Sequence, residues 1–451
     1  MRRPTVLPIA ILILAVEAFA QSATAQNTAR NGGTSANGNA SASGEKLQYV
    51  IYLSRHGVRS PTGDASKFQN YSAAPWPTWP VKPGYLTPHG YDLMKLFGAY
   101  DRIKLVDEGL LAPTGCDDAA HVTILADSDQ RTRETGKALA EGLLPGCGVE
   151  THALPEGTDD PLFHGMSAAE AHLDPALAVA AIGGRIGGDP NNLAQAYRPQ
   201  LEALDTILAG CGKVPATNAA RTSLFDVPAV LQPGKGEHAA EFRGPLATAS
   251  TVSENLMLEY TQGMSGTDLG WGCLDEASLR QAMELHDAEE DYADRTPVIA
   301  RIHASNILDK IANALYQSAT GKTVAGAPGK PDDKVLLLVG HDTNLATVSG
   351  LLGLDWIIDG RRNDTPPGGA LVFELWRAAG GAYSVRVFYT AQTLIQMRET
   401  TPLTAANPPA RVPVFVPGCG ATGAEVGACS VDGFIATVRR TIGPTNGSAQ
   451  Q

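Results

Sequence analysis

Three short apolar runs in this chain have strand length, and each ends in a polar cluster. Residues 49–53 run into Ser54-Arg55-His56-Gly57, and residues 121–126 into Asp127-Ser128-Asp129-Gln130-Arg131. Residues 335–339 run into Gly340-His341-Asp342-Thr343-Asn344. Residues 132–144 follow the second cluster with helical spacing. In an open parallel α/β sheet, ligands bind beyond the carboxyl ends of the strands, where the first turns of the following helices also point their N–H groups. Three separate stretches therefore bring Arg and His to one sheet edge. Residues 164–301 read differently. They hold helix-compatible segments at 192–208, 247–260 and 276–292 with few β-branched runs, the pattern of a mainly helical insertion. Beyond it, residues 371–376 and 383–389 alternate like strands, and Thr365-Pro366-Pro367-Gly368-Gly369 punctuates the approach to them.

The N-terminus has a different grammar. Arg2 and Arg3 precede an apolar run over 6–16, then small residues ending in Ala18-Phe19-Ala20 or Ala23-Thr24-Ala25. This is the pattern of a signal peptide over 1–25, too short for a spanning helix, which predicts a periplasmic or secreted protein without stable membrane association after cleavage. Residues 26–45, rich in Asn, Gly, Ser, Thr and Ala, read as a flexible low-complexity leader. The formal net charge of -12 disfavours a nucleic-acid or anionic-membrane binder, so an anionic ligand needs a local cationic pocket. Six cysteines suit an oxidising compartment. Cys116 with Cys147, and Cys419 with Cys429, are neighbours along the chain; Cys211 and Cys273 pair by elimination. Other connectivities, or one reduced pair, stay open at the level of sequence.

Hydrolysis of a phosphate monoester requires cations around the phosphoryl oxygens, an in-line nucleophile and an acid for the leaving oxygen. Arg55 and Arg59 flank His56 in Arg55-His56-Gly57-Val58-Arg59-Ser60-Pro61-Thr62, and planar guanidinium forks match paired phosphate oxygens. Gly57 is expected to let the backbone approach the anion. His56 is the candidate nucleophile, kept neutral by surrounding positive charge, and Asp342 the candidate proton donor. Arg131 alone is ambiguous, since an ion pair with Asp127, Asp129 or Glu134 explains it as well. A second His-Asp pair, His286-Asp287, lies inside a helical pattern and reads as a helix-surface pair, because it lacks the strand-end context. No His, Cys or carboxylate grouping has clear metal-ligand spacing.

The Arg-His-Gly-x-Arg-x-Pro loop with a later His-Asp resembles the histidine acid phosphatase family. Trp76-Pro77-Thr78-Trp79-Pro80, Leu86-Thr87-Pro88, Asp129-Gln130-Arg131-Thr132-Arg133, Asp160-Pro161-Leu162-Phe163, Gln262-Gly263-Met264, Thr365-Pro366-Pro367-Gly368-Gly369 and Gln396-Met397-Arg398 look like its bacterial 6-phytase-like branch. The resemblance implies a doubly wound, mainly parallel α/β catalytic domain (46–163 and 302–451) with an inserted helical cap domain (164–301). It implies that Arg55, Arg59, Arg131 and His341 hold phosphate, His56 attacks and Asp342 is the acid, with no cofactor or metal. Thr62, Glu254 and Thr343 are substrate-facing candidates, although Glu254 taken alone reads as an exposed helix carboxylate. Thr343-Asn344 is phytase-like; Gly63 departs from the pattern, which carries a Lys there. The expected substrate is a small phosphorylated molecule, myo-inositol hexakisphosphate first, and the expected state a monomer. The alternatives are a glucose-1-phosphatase-like or broad-specificity acid phosphatase, or a non-catalytic exported phospholigand-binding protein, which would need neither His56 nor Asp342.

Overall fold

The computed structural model describes residues 44–63, 66–167, 173–218, 220–235, 240–419 and 427–443. The signal peptide expected at 1–25 and nearly all of the leader at 26–45 lie outside them. An eight-stranded sheet organises the fold, with strands β1 (Lys46–Arg55), β2 (Val122–Ala126), β3 (Thr151–His152), β4 (Val335–Gly340), β5 (Ala370–Arg377), β6 (Tyr383–Ala391), β7 (Ala410–Val414) and β8 (Cys429–Ser430). Their spatial order is β7-β6-β5-β1-β4-β2-β3, with β8 also paired to β6. The half made of β1, β4, β2 and β3 is parallel, whereas β5 to β8 pair antiparallel. The result is a mixed α/β fold whose parallel half ends in the three polar clusters.

The unbroken apolar character of the central strands follows from burial on both faces. Along β1, Tyr49, Ile51 and Leu53 pack with Ile307, Ile311 and Leu345 of the helices Pro297–Thr320 and Asp342–Leu352. Val50 and Tyr52 point the other way, onto Met94, Phe97 and Leu139 of the helices Pro88–Asp107 and Gln130–Leu143. Period two thus divides one apolar run between two cores. Register carries the ends of the strands together: Arg55 lies opposite Gly340 on β4, and Ala126 opposite Val339.

Within 164–301 helices dominate, and they bury a third core around Leu201, Leu204, Leu256, Leu279 and Met283, joined by Val58 and Leu93 from the sheet side. The segment expected as one helix over 192–208 is two, Asn191–Ala196 and Arg198–Leu208, with Pro199 in the first turn of the second. A two-stranded ribbon, Val230–Pro233 with Ala240–Arg243, was not legible in the helical pattern. All six cysteines pair as expected, 116 with 147, 211 with 273 and 419 with 429. No helix among the described residues is long and apolar enough to cross a membrane.

Candidate active site

The loop after β1 is held from both sides. Gly368 N–H donates to His56 O (2.9 Å), and Arg55 N–H to Gly369 O (2.9 Å), so the Pro-Pro-Gly-Gly turn that punctuates the sequence braces the loop. On the other side, a Cβ on Gly57 would lie 2.7 Å from Met94 Cγ and 3.1 Å from Gly90 O. Gly57 therefore lets the loop seat against the helix Pro88–Asp107. Its N–H donates to Thr135 Oγ1 (2.9 Å).

His56 is buried, 1% exposed. Its Nδ1 lies 2.8 Å from Gly57 O, which only accepts, and Arg59 Nε–H points at its Nε2 from 3.4 Å. These partners assign the proton to Nδ1 and a lone pair to Nε2. Burial, then the charges of Arg131, Arg59 and Arg55, hold the imidazole well below its ordinary pKa, so the ring is neutral.

Arg55 is fully buried. It donates through Nη1 to Thr365 O (2.6 Å) and through Nη2 to Glu254, and the same Nη2 lies 2.8 Å from Asp342 Oδ2. Arg59 Nη2 also donates to Glu254 Oε1 (2.7 Å). Glu254, on the helix Pro245–Thr261, is thus buried and shared by two arginines, not the exposed helix carboxylate suggested by its sequence setting. Although burial opposes it, the charges of Arg59 and Arg55 lower the Glu254 pKa. Asp342 opens the helix Asp342–Leu352; burial would raise its pKa, but Arg55 and Arg59 hold it well below the usual carboxylate range.

His341, at the end of β4, donates from Nε2 to Asp127 Oδ2 (2.6 Å), and Arg131 Nη2 lies 3.3 Å from its Nδ1. Asp127, at the end of β2, also accepts from His164 Nε2 (2.9 Å). Arg131 pairs with Asp129 (2.6 Å), so the ion pair weighed in the sequence is real, yet its side chain also borders the cavity over His56. Asn344 accepts from His341 N–H (2.9 Å) and donates to Phe163 O (2.7 Å), tying that turn to the Asp160-Pro161-Leu162-Phe163 segment. Thr343 is exposed and gives its N–H to Asp342 Oδ1 (2.8 Å).

Above these groups opens a cavity of about 1150 Å³. His56, Arg59, Arg131, His341 and Asp342 lie at its base, with Thr62, Thr343 and Lys235 also on its walls. The pocket brings together every candidate catalytic and phosphate-facing side chain except Arg55, which lies behind the wall and is held by Glu254 and Asp342. Sequence reasoning missed Lys235, His164 and the role of Asp127, whose signal was its place directly after β2. It also misplaced His286. That residue is 6% exposed, bonded through Nδ1 to Ser250 Oγ (3.1 Å), so His286-Asp287 is no surface pair.

The sequence model of the histidine phosphatase superfamily (branch 2) matches residues 46–390. Phytase AppA of Escherichia coli (strain K12) is 36% identical over 397 residues, 86% of this chain and 90% of that protein. A glucose-1-phosphatase of Providencia rettgeri is 28% identical over 402 residues, 86% and 90% of the two chains. The structure of Hafnia alvei phytase in complex with myo-inositol hexakis sulphate matches with a TM-score of 0.80 at 35% identity, covering 89% of this chain and 98% of that one.

Proposed function

The chain belongs to the histidine phosphatase superfamily, branch 2, and on that premise we propose that it hydrolyses phosphate monoesters through a phosphohistidine on His56, with myo-inositol hexakisphosphate as its substrate. One observation carries the reading. A buried, neutral imidazole with an unprotonated Nε2 lines a cavity together with Arg59 and Arg131. Arg59, Arg131 and His341 bind the transferred phosphoryl oxygens and offset their charge as Nε2 attacks phosphorus in line. Arg55 supports that set from behind, through the charge it shares with Glu254 and Asp342. The bond to the ester oxygen breaks, and Asp342 gives that oxygen a proton. In the second half, Asp342 takes a proton from water, which attacks phosphorus and frees His56.

The preference for a highly phosphorylated ring rests on the cavity's size and on Lys235. Gly63 leaves no cation directly after Thr62, but Lys235, reached from the ribbon segment, stands on the same cavity wall to meet an outer phosphate. Thr62 and Thr343 serve as hydroxyl contacts, and residues 164–301 act as the cap over the site. The protein works as a monomer in the periplasm or outside the cell.

Rapid alkaline quenching of the enzyme with ³²P-labelled substrate should trap label that is stable in alkali and lost in acid on the wild type, and none on His56→Ala. Initial rates on inositol hexakisphosphate, glucose 1-phosphate and an aryl phosphate, run side by side at acid pH, decide the substrate. A folded His56→Ala variant with near wild-type turnover overturns the mechanism; a preference for glucose 1-phosphate overturns only the substrate.

A further inference from the structure

Beside the phosphate-facing groups, the structure gathers a second set of donors, of which only Asp342 has a part in the reaction above. His286 and Glu290 stand one turn apart on the helix Glu276–Tyr292, and both face Asp342. One donor atom from each of the three residues lies within 4.8 Å of the others. His286 Nδ1 is committed to Ser250, whereas its buried Nε2 has no hydrogen-bond partner among the described residues, and Glu290 Oε1 is 3.6 Å away. An imidazole nitrogen without a hydrogen-bond partner beside two carboxylates, held through its other nitrogen, is the residue set of a three-ligand zinc site with an open fourth position. Arg55 and Arg59 pair with Glu254, and Arg55 Nη2 lies 2.8 Å from Asp342 Oδ2, so an ion on Asp342 shares that carboxylate with a guanidinium; Glu289 and Asp294 also line the cavity.

A second grouping, Asp127 with His164 and His341, has comparable spacing but a different chemistry. There Asp127 Oδ2 already accepts from both Nε2 atoms, so the donors satisfy one another. Only the first group turns an unpartnered nitrogen toward its neighbours.

We propose that His286, Glu290 and Asp342 form an inhibitory divalent-cation site, specific for a borderline metal such as Zn²⁺, that switches the enzyme off by capturing its proton donor. Binding of the ion follows from the three donors alone; inhibition rests on the role proposed for Asp342. Zinc engages the carboxylate oxygen that would otherwise hold the proton for the leaving alkoxide, and it does so without displacing phosphate ligands.

The test is isothermal titration calorimetry of the mature protein with ZnCl₂ at pH 6.5, with activity on glycerol phosphate measured in parallel. Inositol hexakisphosphate is avoided because it chelates zinc itself. One zinc per chain is expected, with inhibition following occupancy and reversed by chelator. Glu290→Gln, which keeps the shape of the side chain, and His286→Gln should each weaken zinc binding at least tenfold. Inhibition should shift by the same factor. Zinc binding unchanged in both variants, or no one-to-one binding by the wild type across the titration, overturns the proposal. Because calorimetry does not depend on turnover, one-to-one binding in a protein that fails the phosphohistidine test would sink the enzymatic reading and leave the cation site standing.

Discussion

Replacing Glu254 by Gln separates two roles that this carboxylate combines. In the free protein its Oε1 neutralises Arg55 and Arg59, both buried, and Arg59 also lines the cavity proposed to take the phosphate. Removing one partner from a buried ion pair costs about 3–5 kcal/mol, and the Gln carboxamide oxygen retains part of the hydrogen bonding, so a loss of ~2–3 kcal/mol is expected near neutral pH. The sign with pH follows from the lowered pKa of Glu254 in the fold. Its contribution is complete above the unfolded value of about 4.3 and is lost as pH falls through the depressed folded value. The gap between wild type and variant should therefore close below about pH 4. Phosphate binding should move the other way. With no carboxylate competing for the guanidinium hydrogens, inorganic phosphate should bind about tenfold more tightly, the equivalent of ~1.4 kcal/mol. Urea unfolding at pH 6.5 and 3.5, with and without phosphate, reads both effects. An unchanged urea midpoint at pH 6.5, or phosphate binding that weakens in the variant, refutes the reasoning.

Asp342→Asn should reduce kcat on alkyl phosphates by about 10²–10⁴ while sparing aryl phosphates, whose leaving oxygen needs little protonation; equal losses on both would make Asp342 structural. The alkaline limb of kcat should lie at higher pH than that of kcat/KM, because Arg59, one of the two arginines that hold Asp342 ionised in the free site, is taken over by phosphate in the proposed complex; coincident limbs across a full pH series contradict this. Arg131→Ala should weaken competitive inhibition by inorganic phosphate by about tenfold or more, loss of a charge-assisted contact; unchanged inhibition returns Arg131 to its pairing with Asp129 alone. Lys235→Ala should raise KM for inositol hexakisphosphate and leave that for an aryl phosphate unchanged, read from paired saturation curves.

The strand ends were legible because each required an apolar run of the right length followed by residues no core accommodates, and Arg55, His56, Arg131, His341 and Asp342 all sit where such runs stop. What escaped was pairing across the chain. Glu254 lies in a helix whose residues are buried nearly all round, and no periodicity says that two arginines about two hundred residues upstream meet it. His286 and Glu290 carried the helical i, i+4 spacing in plain view, but Asp342, which gives that spacing a purpose, comes from another element. Gly57 carries a packing role that its place beside the nucleophile did not announce, set by the closeness of Met94 and Gly90.

The site is best understood as an exchange of buried charges rather than as a positive pocket waiting for an anion. Without phosphate, Glu254 and Asp342 neutralise Arg55 and Arg59, which is why Asp342 is held ionised and unable to act as an acid. On the proposed mechanism an entering phosphate draws Arg59 away from Glu254 and brings its own negative charge beside Asp342. Glu290, Glu289 and Asp294 stand close by, with Glu289 pushed up to about 8 and Asp294 to about 7 by burial and neighbouring carboxylates. A site so rich in carboxylates favours a proton on Asp342 once Arg59 is engaged elsewhere. His56 needs no such change, since burial and the arginines keep its Nε2 bare before substrate arrives. On the proposed mechanism substrate binding thus arms the acid and finds the nucleophile already in its reactive form, and the two incompatible protonation states are never required of the empty site.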